Sequence, residues 1–228
     1  MADAEKIKKT AVKVLWCVEK VSSFASSINP IFGIVSSLVG AARKVLTKEE
    51  GHALDKEFKP LRSKLETVSK LNHQCLKQIH INEVNETFSK YEEYIKHQYN
   101  AFNEMVAKVK KDPNNSQRHM TAFEETYERD KGKTSLDVYY RGVMGTEPLF
   151  GKPLLKVYLD HCDKDREIME RRCSHITHLF HMGLIALWAY TDVKGLDKEM
   201  VQKTWDERVA EIQEKMQEVL SQCKDTSS

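Results

Sequence analysis

The stretch Val21–Ala42, VSSFASSINPIFGIVSSLVGAA, holds 22 residues without a formal charge, in a protein where 31% of residues are charged. As a helix rising about 1.5 Å per residue it is long enough to cross the hydrocarbon core of a bilayer. Its strong apolar residues are Val21, Phe24, Ile28, Ile31, Phe32, Ile34, Val35, Leu38 and Val39. At about 0.3 to 0.6 kcal/mol each they favour insertion by roughly 3 to 5 kcal/mol. Six serines, Asn29 and Pro30 oppose it by a comparable amount. Pro30 also removes one helix hydrogen bond and predicts a kink about one turn earlier. A segment so close to balance reads in two ways: a buried helix of a soluble bundle, or a helix that enters lipid after a conformational change. The membrane-entering residues in the second reading are these nine and Pro30. Basic residues flank both ends (Lys20, Arg43, Lys44), so charge specifies no orientation.

Outward from this stretch the pattern stays helical. Val14, Val18, Val21, Phe24, Ile28, Ile31, Val35, Leu38, Ala42 and Val45 follow steps of three and four, predicting one helix over 3–46. Ser22, Ser26, Gly33, Ser37 and Gly40 line the other side at small-xxx-small spacing, which predicts close approach of a second backbone. Thr47 and Glu50 form a capping box for the next helix. Apolar stripes from Leu54 to Ile79 and from Ile81 to Val109 predict a long helix or helix pair over 53–110, with a break near Gln78–Asn82. The turn Asp112–Ser116 leads into short helices and a loop over 116–152, the first helix ended by Gly132. Pro153 opens a long helix over 153–194 that Gly195 ends, and Asp197 starts a last helix over 197–223 with a seam at Val201, Trp205, Val209, Ile212, Met216, Val219 and Cys223.

Within 153–194, Leu179 to Tyr190 is apolar all round, as a wholly buried helix is. Its twelve residues reach about 18 Å, too short to span a bilayer. Leu179, Phe180, Leu184, Ile185, Leu187 and Trp188 are therefore the expected packing partners of Val21–Ala42. The fold expected is all-α, a single domain over 1–228, an elongated bundle of about five helices with long antiparallel coiled-coil-like rods.

Composition removes several function classes. A net charge of +2 gives no basic field for nucleic acid, and the lysines of the first 20 residues (Lys6, Lys8, Lys9, Lys13, Lys20) read as a solvated helix face. Five scattered cysteines with no CxxC pair argue against structural zinc or thioredoxin-like chemistry and read as reduced and intracellular. The start MADAEKIKKT is not a secretory signal, so the location expected is membrane-associated or cytoplasmic, and the sequons at Asn85 and Asn114 are chance matches. Gly132-Lys133-Thr134 resembles the end of a phosphate loop, but the motif's first glycine falls at Tyr127. With no GxGxxG, HExxH or GxSxG either, no enzyme activity, cofactor or metal is expected.

Two clusters remain. His175, His178 and His181, near His161 and Cys162, spread too widely around a helix to share one metal; they read as polar groups on a packed helix or as a patch that tunes insertion at mildly acidic pH. Tyr139-Tyr140-Arg141, followed by glycines, reads as a loop cap or as a small-molecule or headgroup site.

Residues 5–46, EKIKKTAVKVLWCVEKVSSFASSINPIFGIVSSLVGAARKVL, and residues 179–195, LFHMGLIALWAYTDVKG, resemble the rapunzel family of fish proteins. That family in turn resembles cephalotoxin-like proteins and, more loosely, helical pore-forming toxins. The resemblance implies an all-helical protein, membrane association and a link to fin and skeletal development. Two functions follow as expectations. In one, Val21–Ala42 rests against Leu179–Tyr190 and is released into lipid. In the other, the chain is a soluble scaffold whose charged helix faces bind a helical protein or a second copy.

Overall fold

A computed structural model describes residues 20–44, 58–67, 82–146 and 153–224, together with positions 9, 56 and 70. The described residues form seven α-helices: α1 (Phe24–Arg43), α2 (Asn82–Lys111), α3 (Ser116–Arg129), α4 (Gly132–Met144), α5 (Leu154–His161), α6 (Arg166–Lys194) and α7 (Lys198–Ser221). Residues 58–67 are also helical, and 3-10 turns precede α1 at Val21–Ser23 and α3 at Pro113–Asn115. No strand occurs among the described residues; one isolated bridge joins Asp165 and Lys224. The fold is all-α.

The helix at the centre is α6. From Leu179 to Tyr190 it is apolar around its whole circumference, so no face of that part prefers water. Its residues His175 to Asp192 are buried without interruption, and it touches each of the other six α-helices. The long apolar seams of α2 and α7 pack on α6, α2 also meeting α3 and α4, and α7 also meeting α1 and α4. Among the described residues the helices thus sheathe one central helix. The 58–67 segment joins the core through Phe58, Leu61 and Leu65, Phe58 meeting Phe102 of α2 edge-on at 6.2 Å.

The number of helices exceeds the expected five, for local reasons. The expected helix over 153–194 is two, α5 and α6, divided by an elbow in which Asp163 (φ 51) and Lys164 (φ 60) are both left-handed. No helix runs through two such residues. Asp165 then caps α6 by accepting the Ile168 N–H at 3.1 Å. The 116–152 region likewise holds two full helices. α3 ends at Arg129, left-handed Lys131 breaks the chain's helical path, and Gly132 opens α4, where any Cβ would strike the Tyr127 ring at 1.9 Å.

The expected 3–46 helix is also revised: Lys20 is extended (φ −107, ψ 121), and α1 begins only at Phe24. The helix continues through Pro30 to Arg43. The 3–19 part of that expected helix, the Thr47–Glu50 capping box, the break near 78–81, Asn85's sequon side chain, Cys17 and Cys75 lie outside what the structure describes. The last helix matches its expected start closely, with Asp197 accepting the Met200 N–H at 3.1 Å.

Candidate functional site

α1 lies along α6. Of the ten residues expected to enter lipid, Phe24, Ile28, Ile31, Phe32, Ile34, Val35, Leu38 and Val39 are buried, while Val21 and Pro30 are half-buried. The six expected partners on α6 are all buried. Two of them make ring contacts with α1: Phe32 stacks on Trp188 with centroids 4.2 Å apart and planes within 4°, and Phe24 meets Phe180 at 6.2 Å. Leu187 also lines a cavity of about 160 Å³ between α4 and α7.

Polar contacts tie α1 down at intervals. Ser27 Oγ donates its one proton to the Phe24 carbonyl at 2.7 Å, so His181, 2.8 Å away, must donate to Ser27 from Nε2. Trp188 Nε1 donates to Ser36 Oγ at 2.7 Å. Arg43 bonds the Asp192 carboxylate at 3.0 Å, the Asp192 carbonyl and the Val193 carbonyl. Asp192 also receives Lys198 of α7 at 2.9 Å. No side chain of α1 caps its own N-terminus; Gln213 of α7 accepts the Ala25 N–H at 2.7 Å instead. Gln202 donates to Asn29 at 3.1 Å.

The reading of sequence missed these tie points. Ser27 was legible in part, since it falls three residues after Phe24 on the buried side. Gln213 and Asp192 carried no local signal, because their partners are more than 140 positions away.

The small-residue stripe does not mediate close packing. Gly33 is exposed and Gly40 half-buried, and a Cβ added at either would meet nothing within 4 Å. The apolar side of α1 faces the bundle, which leaves the small residues turned outward. Gly33→Ala and Gly40→Ala are each expected to stabilise the protein by about 0.8–1 kcal/mol through helix propensity alone. In contrast Gly183→Ala should destabilise, because its Cβ would meet Leu136 at 2.4 Å. Thermal unfolding followed by far-UV circular dichroism checks all three.

The histidines of α6 are deeply buried. His175 Nε2 donates to Glu92 of α2 at 3.1 Å. His178 has no partner at either nitrogen, and His181 has none at Nδ1. A second proton on His181 would be buried, with only the Thr177 backbone to favour it. Burial pushes the pKa of His178 down to about 3, with help from His181, His175 and Lys96 and against the pull of Glu92. Burial also pushes that of His181 down to about 4. Burial alone would raise the Glu92 carboxyl, but the bonds and charges of His175 and Lys96 outweigh it and hold its pKa at about 2. No group of three His, Cys, Asp or Glu suited to a metal occurs among the described residues.

Tyr139 and Tyr140 diverge and form no common site. Tyr139 is buried, with its ring 5.2 Å from Phe88, whereas Tyr140 lies under the Arg208 guanidinium and donates to Glu211 at 2.5 Å.

Residues 46–228 match the family model of the cephalotoxin-like middle helical domain. Protein rapunzel of zebrafish (Danio rerio) is 38% identical over 222 residues, covering 97% of this chain and 96% of its own. The chain belongs to the rapunzel family. No solved structure matches it. Within the rapunzel-family chain, α1 precedes the matched domain, whose α6 and α7 provide the surface on which α1 rests.

Proposed function

We propose that this rapunzel-family chain is a non-enzymatic helical protein that associates with membranes conditionally, in the manner of helical pore-forming toxins, and that α1 is the part that enters lipid. One observation carries this reading. α1 with its preceding turn, Val21–Arg43, is the one helical segment among the described residues long and apolar enough to cross a membrane, at a mean hydropathy of 1.4, and it is stowed by its buried apolar side and tied to α6 by a few polar contacts. Length and composition alone do not separate such a helix from the core helix of a soluble protein. What favours entry is the nature of the tie points. His181 is a group whose protonation opposes the packed state, and Arg43 lies at the rim with its side chain 42% exposed. Fin and skeletal development is the setting that family membership suggests for this activity.

The test uses the full chain with an environment-sensitive dye at Ser26→Cys, an exposed position of α1. With anionic vesicles the dye should shift to the blue, and encapsulated solute should escape, at pH 5 and not at pH 7.5. Arg43→Gln should move the onset to higher pH. Absence of vesicle binding at every pH and lipid composition sinks the proposal. Recovery of the protein from cytosol with a stoichiometric helical partner would then favour the soluble scaffold.

A further inference from the structure

Three formal charges are buried among the described residues: Asp130, Asp192 and Arg172. Asp192 is held by Arg43 and Lys198, and Asp130 lies 3.3 Å from His97. Arg172 has no such partner. It projects from the second turn of α6 and is 2% exposed, and none of its three guanidinium nitrogens makes a hydrogen bond. Its guanidinium lies over the Tyr158 ring of α5 at 4.6 Å. The other groups that bear on its charge are a phenol and a thiol, Tyr158 and Cys162. Burial raises the Tyr158 phenol above its ordinary value, so it stays neutral, and Cys162 is a free thiol.

Burial pulls the Arg172 pKa below its usual value, but a guanidinium starts so high that it keeps its proton at physiological pH. A ring face offsets part of the desolvation of a cation and satisfies none of its N–H donors. Buried ions are as a rule paired, and a guanidinium presents its donors as a fixed fork that matches two oxygens of one group.

We propose that Arg172 is the recognition point of an anion-binding site between α5 and α6, taking the oxygens of a carboxylate or phosphate group. The cover is α5, eight residues long, and it is joined to α6 by the elbow of left-handed Asp163 and Lys164. Access to the guanidinium is by displacement of this short helix, which buries Leu154, Leu155, Val157 and Leu159. Those side chains suit a ligand whose acid group is carried on an apolar body, so a lipid headgroup and a free anion are the two sources to separate. The site is independent of the reading given to α1.

The experiment is thermal unfolding of the full chain at constant ionic strength, with chloride as the reference. One arm adds inorganic phosphate; the other adds vesicles of phosphatidate in phosphatidylcholine, against phosphatidylcholine alone. The wild type should gain several degrees in at least one arm. Arg172→Met, which replaces an unpaired buried charge by an apolar chain of similar length, should fold at least as well without anion and show no gain. Arg172→Lys keeps a point charge and loses the fork, so its affinity should fall at least about tenfold; it carries the comparison if Arg172→Met does not fold. A gain with phosphate identifies a free anion, and a gain with phosphatidate alone identifies a lipid. A wild type unmoved in both arms overturns the site. So does an equal gain in wild type and both variants, which would mark binding at the surface.

Discussion

Acidification from pH 7.5 to pH 5 is expected to remove about 4 kcal/mol of folding stability through His178 and His181 alone. Both are buried and neutral, with pKa values pushed down to about 3 and about 4. In the unfolded chain each titrates near the ordinary 6.5. The unfolded state therefore binds more protons in this window, and stability falls as pH drops below that value. Each histidine contributes about 2 kcal/mol at pH 5, a figure set by the unfolded pKa because both folded values lie lower still. A separate loss follows below the ordinary carboxyl value of 4.5, since Glu92 is held at about 2 in the fold and protonates earlier when unfolded. Urea unfolding at pH 7.5, 6 and 5 measures the slope. His178→Leu should remove about half of it and cost little at neutral pH, because neither ring nitrogen makes a bond to lose. An unchanged slope in that variant would show that the titrating groups lie elsewhere.

The second large effect is in α1. Ile31→Asp places a carboxylate at a position with 0% exposure, and Phe32→Ala removes the ring stacked on Trp188. The first should cost more than about 4 kcal/mol, enough to unfold a protein of ordinary stability. The second should cost about 3–5 kcal/mol and lower the melting temperature by roughly 6–20 °C. The same burial decides how lipid entry can be tested. A charge at Ile31 or Val35 destroys the water-soluble form before any membrane is met. Gly33 is exposed and open, so Gly33→Asp should change soluble stability by no more than about 1 kcal/mol. At the centre of a spanning helix it would cost roughly 2.5–3.5 kcal/mol. Loss of vesicle leakage in a Gly33→Asp protein that melts normally separates membrane entry from folding; full leakage argues against a spanning α1.

The sequence carried the helical class and the burial of α1 and α6, because both rest on apolar periodicity and on long runs without charge. Gly195 as a stop and Asp197 as the start of the last helix were legible from residue type at those positions. The elbow at Asp163 and Lys164 was not: neither residue is glycine, so residue type gives no sign of a left-handed pair. The outward turn of Gly33 and Gly40 was misjudged because small spacing marks a close approach only when a second helix lies on that side. The tie points of α1 belong to pairs distant in the chain, and an unpartnered Arg172 emerges only when the surroundings of its side chain are known.

Asp192 is bonded by two cations from different helices, Arg43 of α1 and Lys198 of α7. In the release proposed for α1, Lys198 would remain as counter-ion after Arg43 leaves, so the carboxylate would not be stranded. On the proposal made for α1, release is then expected to be reversible, because α7 keeps Asp192 charged and in place for the returning Arg43.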